Sequence, residues 1–189
     1  MASLPPNLLS WHANSCYADS VLIFPLVYHE ASFFKKFFFG EKVSGLFGEN
    51  LPENITSMSI QGKKISAIID ELKKILKDMR DSYLKGDQCT NSRDTIRTLL
   101  QTVWVFIVEK SADVQAFNTM KTDIVADDKK VVDWTKNPED AYDFFNFLCR
   151  LLGCYNLNEL DTKLIVGKTI IYKKTRRINS LEGLKYYDY

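Results

Sequence analysis

Histidine is scarce in this chain: His12 and His29 stand near its start, and no third follows. That alone excludes a metal site built mainly on imidazoles and a proton relay drawn from histidines later in the chain. Four cysteines, Cys16, Cys89, Cys149 and Cys154, are irregularly spaced and form no C-x-x-C pair. They suggest neither a disulfide framework nor a zinc site, and they fit a reducing compartment. No metal and no cofactor are expected. An excess of one charge is missing too, because 25 Lys plus Arg face 24 Asp plus Glu. No global field therefore draws in nucleic acid or anionic lipid, and partners must be recognised locally. The longest apolar stretch, residues 21–39, is interrupted by Pro25, His29, Glu30, Lys35 and Lys36, and it falls short of the ~20 clean residues that span a bilayer. The first residues carry no basic segment and no small-residue cleavage site of the kind a signal peptide needs. No Gly-rich phosphate loop, H-E-x-x-H or G-x-S-x-G is present. The expectation is a soluble protein of the cytoplasm or nucleus, and richness in Lys, Asn, Ile and Phe also suits the cytosol of a virus-infected host.

Helical signals dominate what is there. Asn14 and Ser15 are good caps for a helix starting within a residue of Cys16, and Pro25 should kink or end it. A-S-F-F-K-K-F-F-F-G continues as a second helical piece stopped by Gly40, its phenylalanines expected in the core. Residues 40–59 read as a loop. Ile65, Ile68, Ile69, Leu72, Ile75, Leu76, Met79 and Tyr83 recur at helical spacing up to a stop at Gly86. A further helix is predicted from Ser92 past Trp104, with its end obscured by the β-branched V-W-V-F-I-V, and residues 111–136 show no clear period. The segment N-P-E-D-A-Y-D-F-F-N-F-L-C-R-L-L-G has Asn137 as predicted cap, Pro138 at the first position and Gly153 as stop. L-I-V-G-K-T-I-I-Y-K-K reads as strands. The predicted class is mainly α (α+β), with a short β-hairpin near the C-terminus. The basic cluster of Lys168, Lys173, Lys174, Arg176 and Arg177 fits a charge-protected strand edge better than a nucleic-acid site. Asp123, Asp127 and Asp128 suit either a solvated loop or a surface for a basic peptide.

One stretch carries candidate chemistry. In N-S-C-Y-A-D-S-V-L, Cys16 falls at a helix N-terminus, where unpaired amides and the positive end of the dipole favour a thiolate. The same amides can stabilise the oxyanion of an acyl-transfer intermediate.

This stretch resembles the cysteine box of the ubiquitin-specific proteases, papain-like deubiquitinating peptidases. Asn14, Ser15, Cys16, Tyr17, Asp19, Ser20, Val21 and Leu22 all fit that box. A second resemblance follows in the family's order. P-E-D-A-Y-D-F-F is similar to the family's Gln-Gln-Asp-Ala box, with Asp140, Ala141 and Phe144 identical, Asp143 for Glu and Phe145 for Leu. Pro138 and Glu139 replace its paired glutamines. The resemblance covers roughly residues 9–153, with the two boxes as its specific anchors.

The resemblance implies a helical, thumb-like domain at residues 1–160, with residues 161–189 beginning a palm. It implies a thiol protease, a hydrolase that cleaves after the C-terminal glycine of ubiquitin or a ubiquitin-like protein. Cys16 would be its nucleophile, Asn14 its candidate oxyanion donor, and Asp140, Tyr17 and Asp143 its substrate-binding residues. The family's usual oxyanion position is occupied by Trp11. Its catalytic histidine lies on the palm, downstream of both boxes, where this chain has none. The base is then expected from a palm segment beyond these residues or from a partner chain, with His12 the candidate on the chain itself. His29 lies too far along a helix to serve. The alternative is a catalytically incomplete relative that acts as a ubiquitin-binding or structural interaction module.

Overall fold

A computed structural model describes residues 9–10, 12–43, 51–124 and 132–153, and the backbone of residues 163–166 and 168–171. The described chain is mainly helical, with two small antiparallel strand pairs. Its elements are α1 (Cys16–Val27), a π-helical segment (Phe34–Phe38), α2 (Glu53–Thr56), β1 (Ser59–Ile60), β2 (Lys63–Lys64), α3 (Ile65–Lys85), α4 (Thr90–Lys110), α5 (Gln115–Ile124), α6 (Ala141–Leu152), β3 (Lys163–Val166) and β4 (Lys168–Ile171).

The two longest helices, α3 and α4, pack together across the short turn at Gly86. Gly86 has φ +81°, the left-handed stop that glycine adopts without penalty, and the Asp87 amide closes the turn on Ser82 O at 2.9 Å. The α3 stripe of Ile65, Ile68, Leu72, Leu76 and Met79 is buried, each side chain contributing about 1.5–3 kcal/mol over an exposed one. Helix α4 starts at Thr90, two residues before the predicted start, and runs through V-W-V-F-I-V to Lys110. Val103, Trp104 and Ile107 prolong the buried stripe of Ile96 and Leu100, and this tertiary burial outweighs the β-preference of the segment.

Helix α1 lies against α6 and also touches α3 and α4. It continues through Pro25 and ends two residues later, with the Tyr28 amide on Phe24 O, as a proline that crowds the preceding turn requires. The phenylalanines that follow are core: Phe33, Phe34, Phe37, Phe38 and Phe39 are all buried. Phe38 also stacks on Phe145 of α6 at 6.4 Å.

Three expectations need correction. The stretch 40–59, read as loop, contains α2 and the first residue of β1. Residues 115–124, read as unpatterned, form α5, which buries Phe117, Met120 and Ile124. The third concerns α6, which starts at Ala141 and is capped by Asp140 rather than by Asn137 with Pro138. Asn137 belongs to the preceding turn, its amide bonded to Asp133 O at 3.1 Å, and a residue before proline is disfavoured in the helical region. The expected C-terminal hairpin is present as β3–β4, with Lys163 opposite Ile171 and Val166 opposite Lys168. The predicted domain boundary near residue 160, Trp11, Asp127, Asp128, Cys154 and the basic residues after Lys168 lie outside the described residues. No described helix is long and apolar enough to cross a membrane.

Candidate active site

Cys16 is the first residue of α1 and is exposed. The first intrahelical bond runs from the Asp19 amide to Ser15 O at 2.9 Å, so the amides of Cys16, Tyr17 and Ala18 have no partner along the helix. The expected side-chain cap is absent, because Ser15 has helical angles and makes no cap bond. Its hydroxyl donates to Asp19 Oδ2 at 2.8 Å and accepts the His12 amide at 3.2 Å. Asn14 is turned away as well, its Nδ2 donating to Lys136 O at 3.0 Å. One amide hydrogen is therefore spent on the loop before α6, which weakens the oxyanion role expected of Asn14.

The backbone before Cys16 is strained. Ala13 and Asn14 have φ of +46° and +57°, a left-handed pair that costs about 1–2 kcal/mol per residue without glycine. Arg97 of α4 holds it in place. This guanidinium, 2% exposed, donates from Nη2 to the carbonyls of Ala13 (2.6 Å) and Thr135 (3.0 Å), from Nε to Trp134 O (2.7 Å) and the Tyr17 hydroxyl (3.1 Å), and from Nη1 to His12 O (3.3 Å). One buried cation thus ties the loop before Cys16 to the turn before α6. Arginine suits the position, since its planar fork offers five N–H groups that cannot be deprotonated.

Tyr17 completes the same seam. Its ring is buried, edge-on to Phe144 at 5.3 Å, and its hydroxyl donates in a close bond to Trp134 O. Burial pushes its phenol up in spite of Arg97. Tyr17 is accordingly a core residue that joins the two boxes, and its ring does not face a substrate.

Asp140 is exposed and caps α6, its carboxylate accepting from the amides of Tyr142 (2.7 Å) and Asp143 (3.4 Å). Asp143 is partly buried in the first turn. Glu139, one of the positions that departs from the family box, accepts the Asp133 amide at 2.9 Å and so closes the 133–139 loop. The Asp133 carboxyl, pushed up by burial, is held below the usual carboxylate range by the Thr135 hydroxyl and the amides of Thr135 and Lys136. Asp123 pairs with buried Arg150 at 3.1 Å.

His12 lies at the rim with its side chain 68% exposed, and its Nδ1 is 3.2 Å from Asp94 Oδ2. Burial raises the Asp94 carboxyl, but Arg93, helped by His12 and Arg97, outweighs it and keeps the group below its ordinary range. His29 sits beyond the other end of α1 on Leu26 O, separated from Cys16 by the length of that twelve-residue helix, about 18 Å at 1.5 Å per residue. Among the described residues no group of three or more His, Cys, Asp or Glu is arranged to hold a metal ion.

Sequence reasoning missed Arg93, Asp94, Arg97 and Trp134. A signal existed for the arginines: positions 93, 96, 97, 100, 103, 104 and 107 form one helical stripe, so both arginines fall in phase with the apolar face. Comparison with protein-family models, curated proteins and solved structures finds no match.

Proposed function

We propose that the chain is a thiol-dependent peptidase of the ubiquitin-specific protease type, with a papain-like thumb. It cleaves the isopeptide or peptide bond after the C-terminal glycine of ubiquitin or a ubiquitin-like protein. One observation carries the reading: the two boxes, far apart in sequence, pack onto each other through Tyr17 and Phe144 while Cys16 stays exposed at the start of α1. A merely structural cysteine in a first turn would not need a strained, arginine-clamped loop leading into it.

In the reaction the Cys16 sulfur attacks the carbonyl carbon after the glycine, and the carbonyl electron pair moves to oxygen near the unpaired amides of α1. Collapse breaks the C–N bond and releases the amine with a proton. Water then hydrolyses the thioester and restores the thiol.

Ubiquitin carrying a C-terminal electrophile should form a covalent adduct with the wild-type chain and none with Cys16→Ala. Retention of ubiquitin without any adduct would support the binding-module alternative, and neither adduct nor retention would overturn the ubiquitin assignment altogether. Asp140 separates two roles. Asp140→Asn keeps a good cap and removes a charge, so its melting temperature should match wild type while adduct formation slows several-fold. Asp140→Ala should in addition lose about 1 kcal/mol, read by thermal unfolding.

A further inference from the structure

The hairpin β1–β2 leaves one strand edge open. Its two-residue turn, Gln61 and Gly62 with φ of +53° and +81°, is the left-handed pair that holds the short strands in register, Ile60 opposite Lys63 and Ser59 opposite Lys64. Bonded and non-bonded pairs alternate along an antiparallel ladder. The Ile65 amide reaches Met58 O at 2.9 Å, so the next pair, Ser59 with Lys64, is a non-bonded one, and the N–H and C=O of Ser59 point away from β2. Neither group has a partner among the described residues. Beyond that edge lies a groove of ≈ 440 Å³ between β1 and the outer face of α4, and no residue of β2 lines it. The chemistry of this groove is one-sided. Thr98, Thr102 and Thr135 line it, and each already donates its hydroxyl hydrogen, to Asp94 O (2.9 Å), Thr98 O (3.0 Å) and Asp133 Oδ1 (2.5 Å). Toward a ligand these oxygens can only accept. Gln101 gives its Oε1 to the Trp134 amide at 2.8 Å, which leaves its NH2 to donate. Glu109 is the one charged residue among the described residues that line the groove, and it makes no ion pair among them. Ile60 and Phe106 add apolar surface.

We propose that this groove docks an extended, basic peptide segment, which adds to β1 through the N–H and C=O of Ser59 and sets a Lys or Arg side chain against Glu109. Acceptors and negative charge outweigh donors in the groove, so its complement is rich in N–H groups and carries positive charge. A peptide main chain also answers the Ser59 N–H, which a bare polyamine would leave without an acceptor. Strand addition of this kind takes its affinity from main-chain bonds and its choice of partner from the side chains along the edge. Length fits as well. Thr98 and Glu109 stand eleven residues apart on α4, about 16 Å at 1.5 Å per residue, which matches about five residues of extended chain at ~3.3 Å each. The site owes nothing to Cys16 and goes beyond the peptidase reading.

The test is fluorescence anisotropy of a dye-labelled peptide, Arg-Val-Thr-Val-Arg blocked at both ends, titrated with the full chain at low and at physiological salt. Saturable binding that weakens with salt is expected, and Glu-Val-Thr-Val-Glu should not bind. Glu109→Gln should weaken the basic peptide several-fold and flatten its salt dependence. That side chain is exposed, so folding is not at stake in this variant. Ser59→Pro removes the N–H on the open edge, where proline is tolerated, and should also weaken binding several-fold, while spermine should displace the peptide only at large excess. If circular dichroism shows Ser59→Pro to be misfolded, the same peptide N-methylated at its central residues reads the main-chain bonds instead, with the same loss expected. Equal affinity for the basic and acidic peptides, binding of neither, or an unchanged affinity in Glu109→Gln would overturn the proposal. Loss in Glu109→Gln together with full affinity of the N-methylated peptide and ready displacement by spermine would overturn the peptide and leave a polyamine site. No ubiquitin and no thiol chemistry enter the measurement, so its failure leaves the peptidase reading where it stood.

Discussion

Arg97→Met should lower stability by about 3–5 kcal/mol, the range seen when one partner of a buried charged network is removed. Methionine can follow the aliphatic stem of Arg97 but leaves the carbonyls of Ala13, Trp134 and Thr135 without their guanidinium donor in a seam that is buried or partly buried. The left-handed pair at Ala13 and Asn14 also loses its clamp and can relax toward ordinary angles. In a chain of this size 1 kcal/mol corresponds to about 2–4 °C in melting temperature, so thermal unfolding should fall by roughly 10 °C. Arg97→Lys should recover only part of this, because an ammonium on a single stem cannot serve Ala13, Thr135, Trp134 and His12 together. Full stability in Arg97→Lys would mean that charge alone, and not the fork, holds the seam. Alkylation of Cys16 by iodoacetamide at pH 7 should slow in both variants, since the loop that leads into the start of α1 loses its clamp.

The helical body was largely legible in the sequence because its signals are local. The α3 stripe, the glycine stops at 86 and 153 and the thiol at the first residue of α1 each depend on a few neighbouring residues. Caps proved harder. Three plausible ones, Asn14, Ser15 and Asn137, make none: Lys136 O, far along the chain, takes the Asn14 side chain, while Asp19 takes the Ser15 hydroxyl and Asp133 O takes the Asn137 amide, each four residues away. Asp140, singled out for a substrate, turned out to do the capping. The seam between the boxes was the least legible part, because it joins residues far apart in the chain. Arg97 meets Ala13 and Thr135, and no spacing rule reports that pairing; only the phase of Arg93 and Arg97 within the apolar face of α4 hinted that two cations were headed inward.

The other large effect is expected at Trp134, which no motif marks. Its indole is fully buried. It stacks on Phe147 at 6.1 Å, lies edge-on to Trp104 at 6.1 Å and to Phe144 at 5.6 Å, and is tilted over Tyr17 at 6.2 Å. The ring therefore fills the space between α1, α4 and α6, while its backbone carbonyl receives Arg97 and Tyr17. Trp134→Ala should cost about 3–5 kcal/mol through the cavity it leaves, and four aromatic partners on three helices have little freedom to collapse into the gap. Trp134→Phe should cost far less. It retains most of the aromatic contact and removes an indole N–H that is buried with no acceptor among the described residues, a group whose desolvation costs about 1–3 kcal/mol. Denaturant unfolding of the pair measures the difference, and equal losses would mean that the indole nitrogen carries a bond the packing does not reveal. Because the residue holds the turn that receives Arg97, the destabilised alanine variant should also be alkylated more slowly at Cys16 by iodoacetamide at pH 7, while Trp134→Phe keeps the wild-type rate. Stability and thiol reactivity would then fall together, as expected if the same seam that packs α1 against α6 also sets the loop that leads into Cys16.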